Sequence, residues 1–305
     1  MFLFIRSSFS YKLHTATACF SKRFFASSSN YSNLIDIPIR ADGIECGEDD
    51  FLQNKLNDIH LMNVADGVGS WSELNVDPKI FANELLKSIS DEFLSIKTKM
   101  FNLHDKSYTP FLKRIISDAF RKLQETKTFI QHGSCTLVTL SLNIKTLILN
   151  SYVLGDSAFM IIRNREVYYK SKDLQHGFNW PYQLAFEDEY TDDPLVGHTV
   201  QFQLKPHDII IIGSDGLFDN LFEEAILSYV NQETHYLKSF THDEYDEVAK
   251  NIAKILTFEA KLIGEARFGS IVSPFSEEIN DVGFLDFKVY AGKNDDTTVF
   301  VAIIS

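Results

Sequence analysis

Cysteine is scarce, with three in 305 residues: Cys19, Cys46 and Cys135. They show neither paired metal-ligand spacing nor a redox pair, so a zinc site and a thioredoxin-like centre are excluded and isolated reduced thiols are expected. Long apolar runs are missing too. Nothing approaches the roughly 20 apolar residues that span a bilayer, and MFLFI at the start is far too short, so no transmembrane segment is expected. Basic residues are outnumbered, leaving a net charge of −13, and they form no stripe. Nucleic acid, whose phosphates are gripped by Lys and Arg, is therefore not an expected partner. There is no internal repeat.

What is present is core-forming material. Apolar residues make up 45% of the chain, with 26 Phe, enough for one large domain or two small ones. The stretch LMNVADGVGSW, residues 61–71, is the most informative. A short apolar run stops at Asp66-Gly67, which reads as a buried strand presenting a carboxylate at its end, with Gly67 leaving its carbonyl free to face the same opening. The pattern recurs in HDIIIIGSDG, ending at Asp215-Gly216, and in reverse in NDDTTVFVAII, where Asp295 and Asp296 precede the last apolar run. One Asp-Gly is ordinary turn chemistry. Three strand-end acids that converge would offer a hard divalent cation the oxygen ligands and rigid support it needs.

In chain order, residues 1–30 are basic (Arg6, Lys12, Lys22, Arg23), rich in Ser and free of acid, which begins only at Asp36. That is the makeup of a mitochondrial presequence, and RFFAS at 23–27 is similar to a matrix-peptidase site, leaving 31–305 as the folded domain. ECGEDD at 45–50 is expected to carry Glu48 and Asp49 on a hairpin partner of the Asp66 strand. Helical spacing predicts helices over 78–97, capped by Asp77 with Pro78 in the first turn, and over 110–125 and 243–262. Residues 135–169 change to strand periodicity and predict an antiparallel meander with acidic Asp156 at one tip. Residues 171–206 read as a long surface excursion, FGSIVSPFSEEINDVGF at 268–284 as a second loop, and 297–304 as a closing strand. Helices and antiparallel strands come in blocks, which predicts an α+β layered domain, two packed sheets with helices outside.

With these residues in order the chain resembles the metal-dependent protein Ser/Thr phosphatases of type 2C. The resemblance is carried by GED at 47–49, ADG at 65–67, GSCT at 133–136, LGDS at 154–157, SDGLFD at 214–219 and NDDTTV at 294–299. HGFNWPYQL at 176–184 and the basic N-terminus are similar to its mitochondrial branch. The resemblance implies a four-layer α-β-β-α sandwich of two antiparallel sheets, holding two Mn²⁺ or Mg²⁺ ions and a weaker third. It implies Asp66 as the bridging carboxylate, Gly67 as a backbone-carbonyl ligand, Asp215 and Asp295 on one ion, and Glu48 on the other. Asp156 would serve the third position, Asp49 would support the ligands, and Asp296 would hold the turn. Catalysis would rest on Asp66, Asp215 and Asp295, with phosphoSer or phosphoThr hydrolysed by metal-activated water and no phosphoenzyme, in keeping with the absence of a Cys-x5-Arg signature. Substrates would be phosphorylated matrix proteins, coenzyme Q biosynthesis enzymes among them. Two positions depart from the family: Ile44 stands where many members have a phosphate-gripping Arg, and Val68 where many have His. His132 and His176 are candidates to compensate. Two other readings stay open: a phosphatase-like binding module with little turnover, and a metallohydrolase of small phosphate esters.

Overall fold

The computed structural model describes residues 11–22, 46–96, 108–126, 132–187, 189–235, 241–283, 285 and 287–305. The strands are β1 (Leu13–Phe20), β2 (Asp50–Leu56), β3 (Ile59–Ala65), β4 (Ser134–Cys135), β5 (Leu137–Asn143), β6 (Ile148–Leu154) and β7 (Ala158–Arg163). They continue with β8 (Glu166–Lys170), β9 (Gln175–Gly177), β10 (Trp180–Pro181), β11 (Leu184–Ala185), β12 (His198–Gln203), β13 (Ile209–Gly213) and β14 (Thr297–Ile304). The helices are α1 (Pro78–Ser95), α2 (Tyr108–Thr126), α3 (Asp215–Phe218), α4 (Glu223–Glu233), α5 (His242–Gly264) and α6 (Pro274–Val282). Two five-stranded antiparallel sheets, β1-β14-β13-β7-β8 and β12-β6-β5-β3-β2, lie face to face. The expected four-layer α-β-β-α sandwich is the observed architecture.

The alternation of side chains along the strands builds the layers. In β14, Val299, Val301 and Ile303 face the helical layer of α4 and α5, while Phe300, Ala302 and Ile304 face the other sheet. The four consecutive isoleucines of β13 divide the same way, Ile209 and Ile211 outward, Ile210 and Ile212 inward. Strands covered on both faces need such unbroken apolar runs. On the second sheet, Met62 and Val64 of β3 point inward, and Leu61 and Ala65 meet α1 and α2. α1 buries Phe81, Leu85, Ile89 and Phe93 at helical spacing. It starts where expected: the Asp77 carboxylate accepts from the Lys79 N–H at 3.1 Å and Pro78 opens the first turn.

Five features differ from the sequence reading. The excursion expected over 171–206 ends in β12, which pairs along its whole length with β6 as an edge strand of the second sheet, its alternation too short and polar to stand out. Residues 13–20 lie within the stretch expected as presequence, yet they form an edge strand paired along its whole length with β14, so the sandwich does not begin at residue 31. The cysteines are not all free: Cys19, at the end of β1, is disulfide-bonded to Cys46, 27 positions on, while Cys135 is a buried thiol. A wide sequence gap hid the pair. The meander of 135–169 is divided, with β5 and β6 in one sheet and β7 and β8 in the other, and the chain crosses at Gly155-Asp156. The loop expected around 268–284 contains α6, nucleated by Pro274 and a reciprocal Ser273–Ser276 cap. Ile44 and the RFFAS stretch lie outside the described residues.

β1 contributes buried Ala16, Ala18, Cys19 and Phe20 and satisfies one edge of β14. Removing residues 1–20 should lower the melting temperature by more than about 10 °C, since each kcal/mol is worth roughly 2–4 °C in a domain approaching this size. An unchanged melting curve would mean that β1 is peripheral.

Candidate metal centre

The acids gather where strands end. Asp66 follows β3, Asp156 sits in the β6–β7 crossing, Asp215 follows β13 as the first residue of α3, and Asp295 precedes β14. Register puts these strand ends at one edge of the sandwich: Gly213 at the end of β13 faces Ala158 at the start of β7 and Val299 near the start of β14. Asp66 is fixed by backbone on both sides. Its carbonyl accepts from the Thr136 N–H at 2.9 Å, and the Val68 N–H donates to the Ser134 carbonyl at 3.0 Å. A Cβ on Gly67 would stand 2.7 Å from the Glu48 carbonyl oxygen and 2.8 Å from Pro78 Cβ, so only glycine lets the β2 and β3 ends meet α1 here.

One carboxylate oxygen each from Asp66, Asp156 and Asp215 lies within 4.8 Å of the others. The buried Oδ1 atoms of Asp156 and Asp215 accept no hydrogen bond. Two lysines reach into the cluster. The Lys293 ammonium pairs with Asp215, and lies 3.0 Å from Asp219 and 3.4 Å from Asp295. The Lys22 ammonium lies 2.6 Å from Glu48 and 3.6 Å from Asp295. Glu48 also accepts from Ser72 Oγ at 2.8 Å, so it meets the other acids through Lys22. Asp49 is buried and takes a 2.7 Å hydrogen bond from Ser214 Oγ, tying the start of β2 to the end of β13. Asp296 accepts from the backbone N–H groups of Lys22 and Glu48 at 2.5 and 2.9 Å. It clamps two loops, and a Cβ on Gly47, whose φ is +70°, would fall 1.9 Å from its Oδ1.

Electrostatics follow from burial and crowding. Burial, then the charges of Asp215, Asp49, Asp295 and Asp156, push the Asp66 carboxyl well above its usual range. Asp156 is pushed the same way by burial and Asp215. Burial raises Asp219 to about 7 and Asp295 to about 6, with Asp215 adding to both. Asp215 alone is lowered: burial opposes its charge, but the Lys293 ammonium more than compensates. An all-oxygen donor set, buried oxygens without hydrogen-bond partners and strong mutual repulsion are the features that suit a hard divalent cation. The residues fit Mn²⁺ or Mg²⁺.

The cluster floors a cleft of about 840 Å³ lined also by Gly67, Val68, Trp71, His132 and Trp180. His132 pairs with Glu187 on its rim, whereas His176 turns to Asp192, 3.0 Å away. Sequence reasoning missed both lysines. Lys293 adjoins a recognised motif and was within reach; Lys22 lay inside the basic stretch read as a targeting segment.

No protein-family model matches the chain. The PTC7 homolog fig, a protein phosphatase of Drosophila willistoni, is 30% identical over 269 residues, covering 85% of this chain and 78% of that protein. The chain belongs to the metal-dependent Ser/Thr phosphatases of type 2C. The X-ray structure of the photosystem II phosphatase PBCP superposes with a TM-score of 0.70 at 26% identity, over 96% of this chain and 99% of that one. The catalytic domain of the Ser/Thr phosphatase PstP, solved with two manganese ions, shares the fold with a TM-score of 0.53 at 14% identity, over 96% and 99% of the respective chains.

In a type 2C centre with this crowding, neutralising one acid should help the metal-free protein and harm the metal-bound one. Asp156→Asn is expected to raise the metal-free melting temperature by roughly 3–6 °C while shrinking the gain on adding Mn²⁺; a fall in the metal-free value would show that the carboxylates do not repel. The pH dependence has a definite sign. Asp219 and Asp295, with Asp66 and Asp156, hold protons in the folded state that the unfolded chain releases at about 4. Stability of the metal-free protein should therefore drop as pH rises from about 4 to 7, the raised groups, buried Asp49 among them, outweighing the lowered Asp215. Mn²⁺ must displace those protons, so calorimetric affinity should weaken steadily from pH 8 to 5.5 with proton release on binding. A pH-independent affinity would contradict the assignment.

Proposed function

We propose that the chain hydrolyses phosphoserine and phosphothreonine of proteins in the mitochondrial matrix, with two Mn²⁺ or Mg²⁺ ions and no phosphoenzyme. The observation that carries this reading is the convergence of Asp66, Asp156 and Asp215 within 4.8 Å at one edge of the sandwich. Asp66 would be shared between the ions, Asp215 and Asp295 would hold one, Glu48 the other, Gly67 would add its carbonyl, and Asp156 would serve a weaker third. When bound, such ions supply Lewis acidity and make water a much stronger acid at neutral pH. The protein's own part is to hold the ligands and gather the phosphate. Asp49 with Ser214, and Asp296 with two backbone N–H groups, fix the strand ends that carry the ligands. Lys22 and Lys293 line the cleft. They put positive charge beside the reacting phosphate, a role taken by Arg in many relatives at the position of Ile44.

The compartment rests on the N-terminal composition, basic and acid-free up to Asp36. Coenzyme Q biosynthesis enzymes are substrates suggested by the resemblance. Because β1 belongs to the sheet, the import address must act without loss of residues 13–20. N-terminal sequencing of the protein recovered from mitochondria should find a start before Leu13; recovery only outside mitochondria, or a start beyond Phe20, would overturn this.

Asp66→Ala should lower Mn²⁺-dependent kcat on a phosphothreonine peptide by at least about 1,000-fold, with the fold kept by circular dichroism. Unaltered turnover in that variant would refute the proposed role.

A further inference from the structure

The segment HGFNWPYQL, residues 176–184, takes no part in holding the acids, yet it builds one wall of their cleft. β9 and β10 form a small hairpin, Trp180 opposite Gly177, turning through Asn179 at φ +51°. The hairpin is anchored from below: Phe178 packs on Phe275 with ring centroids 5.4 Å apart, and His176 stacks on Tyr182 at 4.0 Å while pairing with Asp192. Trp180, 5.1 Å from the His176 ring, stays 59% exposed. Across the cleft, buried Trp71 donates to Ser134 Oγ at 2.6 Å and meets the edge of Tyr190, itself 55% exposed. The cleft thus has two large aromatic faces open to solvent on rigid supports. Its rim carries exposed Glu73 and Glu189, beside a Glu187 that is paired with His132; among the described residues lining it, the lysines are Lys22 and Lys293, which lie at the floor against the aspartates.

Rigid exposed aromatic rings lose little entropy on contact and attract guanidinium and ammonium groups over their faces. Carboxylates at a rim select cations and reject acids at modest cost per pair. Building on the proposed phosphatase reading, we propose that Trp180 with Glu73 and Glu189 forms a specificity subsite for the residues flanking the phosphoamino acid, and that it selects segments carrying Arg or Lys there.

The full-length chain with Mn²⁺ is assayed on three peptides sharing one phosphothreonine and flanked by Arg, by Gln or by Glu, with p-nitrophenyl phosphate as a probe of the metal centre. The Arg-flanked peptide should exceed the Glu-flanked one in kcat/KM by roughly ten-fold, mostly through KM. Raised salt should narrow that ratio, and Trp180→Ala or a Glu73→Gln, Glu189→Gln double variant should bring it within about three-fold. Turnover of p-nitrophenyl phosphate with no preference among the peptides, a preference for the Glu-flanked one, or a ratio unmoved in both variants overturns the subsite and leaves the phosphatase reading standing. No turnover of any of the four compounds overturns the phosphatase reading and the subsite with it.

Discussion

Mutual repulsion among carboxylates at one edge of the sandwich is the constraint the rest of the structure serves. Two unit charges 4 Å apart in a protein environment repel by about 4 kcal/mol at an effective dielectric near 20. Three carboxylates within 4.8 Å, all ionised, would consume much of a total stability that is only about 5–15 kcal/mol for a typical domain, which is why Asp66 and Asp156 are driven to keep their protons. A fold holds such a cluster only if something positive is supplied, and only if the scaffold is rigid enough to resist splaying. The two five-stranded sheets, buried on both faces, give that rigidity. Lys22 and Lys293 supply charge from within the chain, and the divalent ions typical of the family would supply more.

Rigidity is delivered through specific ties. Asp296 spends its carboxylate on backbone N–H groups from the end of β1 and the start of β2, and Asp49 reaches the end of β13 through Ser214. These carboxylates hold the loops that present the others. The disulfide between Cys19 and Cys46 ties the same two loops just beyond the Asp296 contacts. β1 is therefore as much a part of the centre as β3, although it carries no acid.

The legible parts of the molecule were those whose signal is local. A strand broken by Asp-Gly announces itself within ten residues, and so do a Pro-initiated helix and the all-apolar β14. Asp66, Asp215 and Asp295 stand out for that reason; of the three, Asp66 and Asp215 share the 4.8 Å cluster, with Asp156 as its third member, while Asp295 meets Asp215 through Lys293. What was hidden depends on partners distant in sequence. Nothing near Gly155-Asp156 says that the chain changes sheets there, because a tight hairpin and a crossing use the same turn residues. β1 is hidden by charge: Lys12, Lys22 and Arg23 make a targeting segment the simpler reading, while Ala16–Phe20, broken by Thr17, is too short an apolar stretch to stand out. With β1 went Lys22 and the partner of Cys46. α6 was masked by Ser, Pro and Gly, which mark loops and helix caps alike.

The most direct measurement is anomalous diffraction from crystals grown with Mn²⁺. Peaks bounded by the carboxylate oxygens of Asp66, Asp215 and Asp156, at ligating distance, are the expected result. Crystals grown in millimolar Mn²⁺ with no anomalous density among these residues, and with Lys22 and Lys293 still seated against the acids, would contradict the cation site on which the proposed chemistry depends.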